Sequence, residues 1–112
     1  MYQKKDLEIV KDVILGEMTP YQIILFGSYA TGRQDESSDL DVMILTNEEF
    51  NRKYKMDLLY RLQRKFLYLD YRIDIIIKNW NDFEKYKDYI GTINYDVGRE
   101  GKVLWTRQYS NL

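Results

Sequence analysis

The sequence predicts an α/β (α+β) fold, a mixed β-sheet flanked by helices, in one domain spanning residues 1–112. Three observations lead there. Apolar residues recur at helical spacing in some segments and run as short β-branched blocks in others, and the two kinds alternate along the chain. No internal repeat, low-complexity tract or Pro/Gly/Ser-rich linker divides them. The length suits one core that holds together without disulfides or a structural metal.

Leu7, Val10 and Ile14, with Val13 beside them, predict a helix over about 3–15, stopped by Gly16. Pro20 bars continuation, and Tyr21-Gln22-Ile23-Ile24-Leu25-Phe26 reads as a buried strand. The small-residue turn Gly27-Ser28-Tyr29-Ala30-Thr31-Gly32-Arg33 opens a short helix, and a polar loop over 34–38 follows. Asp39-Leu40-Asp41-Val42-Met43-Ile44-Leu45 reads as a second strand. Thr46 with Glu49 has capping-box spacing and announces a helix to about Asp70, striped by Phe50, Tyr54, Leu58, Leu62 and Phe66. Arg72-Ile73-Asp74-Ile75-Ile76-Ile77 is the third strand. Asn79 or Asn81 caps a last helical region that Gly91 bends or breaks and Gly101 ends, before a short strand or extended tail over 102–105.

Composition excludes much chemistry. Without Cys there is no thiolate nucleophile, zinc ribbon or iron–sulfur cluster; without His there is no imidazole base and no Ser-His-Asp triad. Seventeen basic against 18 acidic residues argue against a protein that coats nucleic acid. No apolar run reaches the 18 or so residues of a membrane span, and the N-terminus lacks a signal-peptide core. A soluble cytoplasmic protein is the expectation. Any acid–base or metal chemistry must come from carboxylates, Lys or Tyr.

The carboxylates are placed for it. Along a strand Asp39 and Asp41 point the same way, roughly 7 Å apart at Cα, so both can lean toward one divalent ion. Neither residue favours a strand, and such local conflict concentrates at functional sites. Asp74 sits among isoleucines on a later strand, where a buried charge needs a partner or a metal. Arg72 on the same face is the alternative partner. Oxygen ligands without His or Cys point to Mg²⁺ or Mn²⁺.

Gly27-Ser28, between a strand and a short helix, can offer backbone N–H groups and a hydroxyl to a phosphate, with Arg33 nearby; a tight turn with a Ser cap is the plainer alternative. Two other motifs fail. The span Gly27–Gly32 begins like a P-loop, but Arg33-Gln34 replaces its Lys and Ser/Thr. Asp35-x-Ser37-x-Asp39 begins like a calcium loop, but Leu40 replaces the turning Gly and Thr46 the bidentate Glu.

Gly27-Ser28, Ala30 and Gly32, then Ser38-Asp39-Leu40-Asp41 and the later Asp74, resemble the DNA polymerase beta-like nucleotidyltransferase superfamily, in particular the minimal nucleotidyltransferases (MNT). The segment Arg99-Glu100-Gly101-Lys102-Val103-Leu104-Trp105 is similar to that family's closing segment, so the resemblance covers nearly the whole chain. One departure is Thr31, where many members carry Arg; the basic residue here is Arg33.

The resemblance implies a polymerase beta-like core in which Asp39, Asp41 and Asp74 are catalytic and hold two Mg²⁺ ions, and Gly27, Ser28 and Arg33 bind the nucleotide. The implied reaction transfers AMP from ATP to a hydroxyl, with two metals stabilising the attacking and leaving oxygens. Larger relatives add an acceptor-binding domain. Here the expectation is that the acceptor surface comes from a partner, a small helical HEPN-type protein, or from a second copy of the chain, with the chain acting as antitoxin of a HEPN/MNT pair. The alternative is a non-catalytic nucleotide-binding module that neutralises or scaffolds its partner by contact. Tyr54, Tyr60, Tyr68, Tyr86, Tyr89 and Tyr95 are candidates for that interface, and Lys53, Lys55, Arg61, Arg64 and Lys65 form a basic, solvated helix face.

Overall fold

Helix α1 (Lys4–Glu17) begins where the Asp6 carboxylate turns back to accept the Gln3 N–H at 2.7 Å. It runs through Gly16 rather than stopping there, because the chain beyond it leaves in extended form at Met18. Strand β1 (Gln22–Phe26) follows, then the single-turn helix α2 (Ser28–Thr31) and strand β2 (Leu40–Thr46). The long helix α3 spans Arg52–Tyr68, and β3 spans Ile73–Asn79. The last helical region is two helices, α4 (Trp80–Tyr86) and α5 (Ile93–Glu100), separated at Gly91 with φ +92, and strand β4 (Lys102–Thr106) closes the chain. This computed structural model describes residues 1–108.

The capping box expected at Thr46 does not form. Thr46 is the last residue of β2, paired with Asn79 of β3, and its hydroxyl donates to the Glu48 carbonyl at 2.8 Å. Asn51 caps α3 instead, its side chain accepting the Tyr54 N–H at 2.8 Å. Asn79 caps α4 in the same way through the Asn81 N–H.

The sheet order is β3-β2-β1-β4, with β1 antiparallel to both β2 and β4 and β2 parallel to β3. A mixed sheet of this kind leaves β2 and β1 central. Side chains of β2 alternate between two cores. Leu40, Val42 and Ile44 pack with Val10 and Ile14 of α1 and Leu58, Leu62 and Phe66 of α3. Met43 and Leu45 pack on the other face with Phe83 of α4 and Val97 of α5. Each such apolar side chain contributes about 1.5–3 kcal/mol on burial. Both faces of β2 are covered, and the face bearing Asp39 and Asp41 becomes apolar at Met43, two residues further on. No helix among the described residues is long and apolar enough to cross a membrane.

Candidate active site

Because β1 and β2 are antiparallel, the end of β1 lies beside the beginning of β2, and Phe26 stands opposite Asp41. Because β2 and β3 are parallel, Asp41 stands opposite Asp74, on neighbouring strands about 4.8 Å apart. The Gly27-Ser28 turn, Asp39, Asp41 and Asp74 therefore share one end of the sheet, on the face that carries α4 and α5.

The closest contact is between the turn and Asp41. Gly27 has φ +72, and a Cβ built on it would overlap Asp41 Oδ2. Only glycine permits both the backbone conformation and the space that this carboxylate occupies. Burial, then the charge of Asp74, then that of Asp39, pushes the Asp41 carboxyl above the ordinary carboxylate range.

Asp39 lies just before β2 and is half exposed. The Arg72 Nε stands 3.7 Å from its Oδ1, and Arg72 Nη2 donates to the Glu36 carbonyl at 2.8 Å. The sequence reading offered Arg72 to Asp74; the structure gives it to Asp39, across the strand pair. Asp74 itself is exposed. It needs no compensation for burial: it projects from β3, an edge strand, on the side away from Ile73 and Ile75, which pack in the core.

Ser28 is the first residue of α2, and its hydroxyl has no hydrogen-bond partner among the described residues. Arg33 lies two residues beyond α2. Its Nε donates to Thr31 Oγ1 at 3.2 Å, and its Nη2 lies 3.9 Å from Glu100 Oε1, with both side chains mostly in solvent. The structure thus brings Gly27 and the three aspartates to one end of the sheet, and pairs Arg33 with Glu100 at the end of α5, just before the strand that runs beside β1.

The donor chemistry fits a hard divalent cation: the candidate ligands are all carboxylate oxygens, and the lack of a Gly27 side chain leaves room for the Asp41 carboxylate among them. Among the described residues no three acidic side chains converge closely enough to ligate one ion as they stand. This end of the sheet is an open face. A cleft of about 430 Å³, lined by Thr46, Phe50, Lys55 and Lys78 among others, lies at the opposite end of β2 and β3, roughly 17 Å away by strand rise.

The family model of the nucleotidyltransferase domain matches residues 7–98, which contain all of these elements except the start of α1, the end of α5 and β4. The chain belongs to the nucleotidyltransferase domain family. This nucleotidyltransferase is 41% identical over 75 residues to a Methanocaldococcus jannaschii protein named "Putative protein adenylyltransferase", a match that covers 66% of this chain and 70% of the relative. Its fold is shared with a chain of a toxin–antitoxin crystal structure with AMP-PNP, at TM-score 0.61 and 22% identity, covering 95% of this nucleotidyltransferase and 76% of that chain. It is shared too with a chain of the solved complex of tri-AMPylated Shewanella oneidensis HEPN toxin with MNT antitoxin, at TM-score 0.59 and 18% identity, covering 95% and 74%. The nucleotidyltransferase assignment drawn from Gly27-Ser28 and Asp39-Leu40-Asp41 is the one the family model returns.

Proposed function

We propose that this nucleotidyltransferase moves AMP from ATP to a hydroxyl on a partner protein, with Asp39, Asp41 and Asp74 as its catalytic and Mg²⁺-holding residues. The observation that carries the reading is the register pair Asp41–Asp74 beside a glycine that leaves room for Asp41. A carboxylate part-buried beside another carboxylate, which makes its ionisation costlier, is the kind of arrangement that marks sites of chemistry.

Bound there, two Mg²⁺ ions would neutralise the phosphates and draw charge from the leaving pyrophosphate. The rest falls to the chain. The backbone at Gly27 and the Ser28 hydroxyl hold the β- and γ-phosphates. Arg33, released from its exposed pairing with Glu100, reaches the nucleotide. With no His in the sequence, Asp74 is the exposed carboxylate placed to take the acceptor proton. The acceptor oxygen bonds to the α-phosphorus, the bond from that phosphorus to the bridging oxygen breaks, and pyrophosphate leaves with the electron pair.

A small helical HEPN-type partner is supported by the toxin–antitoxin structures that share the fold. Tyr60, Tyr68 and Tyr89 are well exposed and offer amphipathic contact area to it. The basic face of α3 is partly neutralised, since Arg61 and Lys65 both pair with Glu17, which disfavours nucleic acid as the acceptor.

The test incubates the chain with Mg²⁺, ATP labelled at the α- or the γ-phosphate, and the product of the adjacent gene as candidate partner. The expected result is α-label on the partner, no γ-label, and loss of transfer in the double variant D39N/D41N. Absence of label, with the double variant still neutralising the partner, makes the chain a binding module that works by contact.

A further inference from the structure

The carboxylate end of the sheet already has a cation of its own. Arg72 ends the turn before β3, and its place is fixed from three sides. Its backbone N–H donates to the Tyr2 hydroxyl at 2.7 Å, and its carbonyl accepts the Leu40 N–H at 3.0 Å. Its guanidinium donates to the Glu36 carbonyl at 2.8 Å while Nε stands 3.7 Å from Asp39. Tyr2 is anchored in turn, because its own N–H donates to the Tyr29 hydroxyl on α2 at 3.0 Å and its ring packs against Tyr29 and Tyr71. The N-terminal residues thus strap α2 to β3 and hold the arginine against one of the three aspartates.

We propose that Arg72 is a tethered counter-cation of Asp39, which a divalent ion must displace before Asp39 can join Asp41 and Asp74. This rests on the proposed metal-holding role of the three aspartates. It accounts for why they share an end and a face without converging: one of the three is held aside by a guanidinium. A cation approaching Asp41 and Asp74 meets a like charge at Asp39, so Arg72 weakens metal binding to the chain alone. It weakens it less once triphosphate oxygens add their own negative charge. Arg72 is a positioning residue in this account and touches neither phosphate nor acceptor.

The test reads metal binding without nucleotide. Mn²⁺ is titrated into the chain and the free ion followed by electron paramagnetic resonance. Arg72→Gln removes the charge and keeps a hydrogen-bonding side chain for Glu36; its Mn²⁺ affinity is expected to rise roughly three- to ten-fold over the native chain, the scale of one nearby charge in a hydrated site. Arg72→Lys, which keeps the charge, is expected to return affinity toward native. A native-chain readout avoids substitution altogether: the Arg72 Nε–H resonance is expected to shift as Mg²⁺ is added, and not as Na⁺ is added at equal ionic strength. Unchanged or weaker Mn²⁺ binding in Arg72→Gln, lysine binding as tightly as glutamine, or an unmoved Nε–H resonance while Mg²⁺ binds, overturns the displacement and leaves the metal site standing. No Mn²⁺ binding by any of the proteins overturns the metal site and the displacement with it.

Discussion

Gly27 and Asp41 occupy one volume between them: the space where a Gly27 side chain would begin holds the Asp41 carboxylate. The turn after β1 and the start of β2 are locked together by that fit, so the phosphate-binding candidate and the carboxylate candidate form one unit of structure. The strand register then adds Asp74.

Gly27→Ala strains the backbone at φ +72 and drives a methyl group into Asp41, so it is expected to cost about 1–3 kcal/mol in urea unfolding. Part of that cost is specific to the pair. In an Asp41→Ala background the same substitution is expected to cost less, and the difference measures the coupling between the two residues. Equal cost in both backgrounds counts against the steric lock.

Asp41→Asn is expected to stabilise the metal-free chain at neutral pH. Burial and the neighbouring aspartates raise the folded-state pKa of Asp41 above its unfolded value, so ionisation disfavours the folded state. The sign follows: the native carboxyl is without penalty below the unfolded value, near 3.9, and loses stability as pH rises through its raised folded value. Solvent on the open side of Asp41 screens the effect. The expected gain for the variant is roughly 2–4 °C in Tm at pH 7, shrinking to none near pH 3.5. A variant less stable than native in EDTA at pH 7 contradicts it.

Tyr2→Phe removes the acceptor of the Arg72 N–H and keeps both ring contacts and the Tyr2 N–H bond to Tyr29. One partly exposed hydrogen bond is worth about 0.5–1 kcal/mol, a Tm drop of several degrees in a domain of this size. Tyr71 beside it donates to Asp6 at 2.8 Å, and burial together with that bond pushes its phenol up to about 12. The phenol should therefore stay protonated in an ultraviolet titration through pH 10.5, where ordinary tyrosines ionise.

Two aromatics two residues apart on α3 are expected to behave oppositely. Phe66 is 1% exposed in the core under β2 and β3, and Phe66→Ala is expected to cost about 3–5 kcal/mol, much of the stability of a small domain. Tyr68 is 90% exposed, and Tyr68→Ala is expected to change stability by under about 0.5 kcal/mol while weakening capture of a HEPN-type partner in a pull-down. Unchanged capture removes Tyr68 from the interface.

The elements and the site motif were legible because they are local. Leu58, Leu62 and Phe66 repeat every four residues on one helix face, and Asp39 and Asp41 interrupt an apolar strand two residues apart. What depended on strand order was not. Arg72 and Asp74 are two residues apart, so sequence spacing pairs them; the parallel register of β2 and β3 places Asp39 within reach of Arg72 instead, and nothing local encodes that register. Asp74 looked buried among isoleucines because periodicity does not say that β3 is an edge. Thr46 and Glu49 have the spacing of a helix cap, but the ladder to Asn79 keeps Thr46 in the sheet, and Asn51 has the better cap position. Gly16 failed as a stop because the helix end was set by the extended chain beyond it.

The central claim is that Asp39, Asp41 and Asp74 act together as one catalytic set. The direct measurement is the single-turnover rate of AMP transfer from α-labelled ATP to the partner, for the native chain and for Asp39→Asn, Asp41→Asn and Asp74→Asn separately. Each variant is first checked for a native circular-dichroism spectrum. The account predicts that each single substitution lowers the rate by about 100-fold or more, and that combining them adds little further loss, as for residues that act as a unit. A folded Asp74→Asn or Asp41→Asn variant that transfers AMP at the native rate would contradict it.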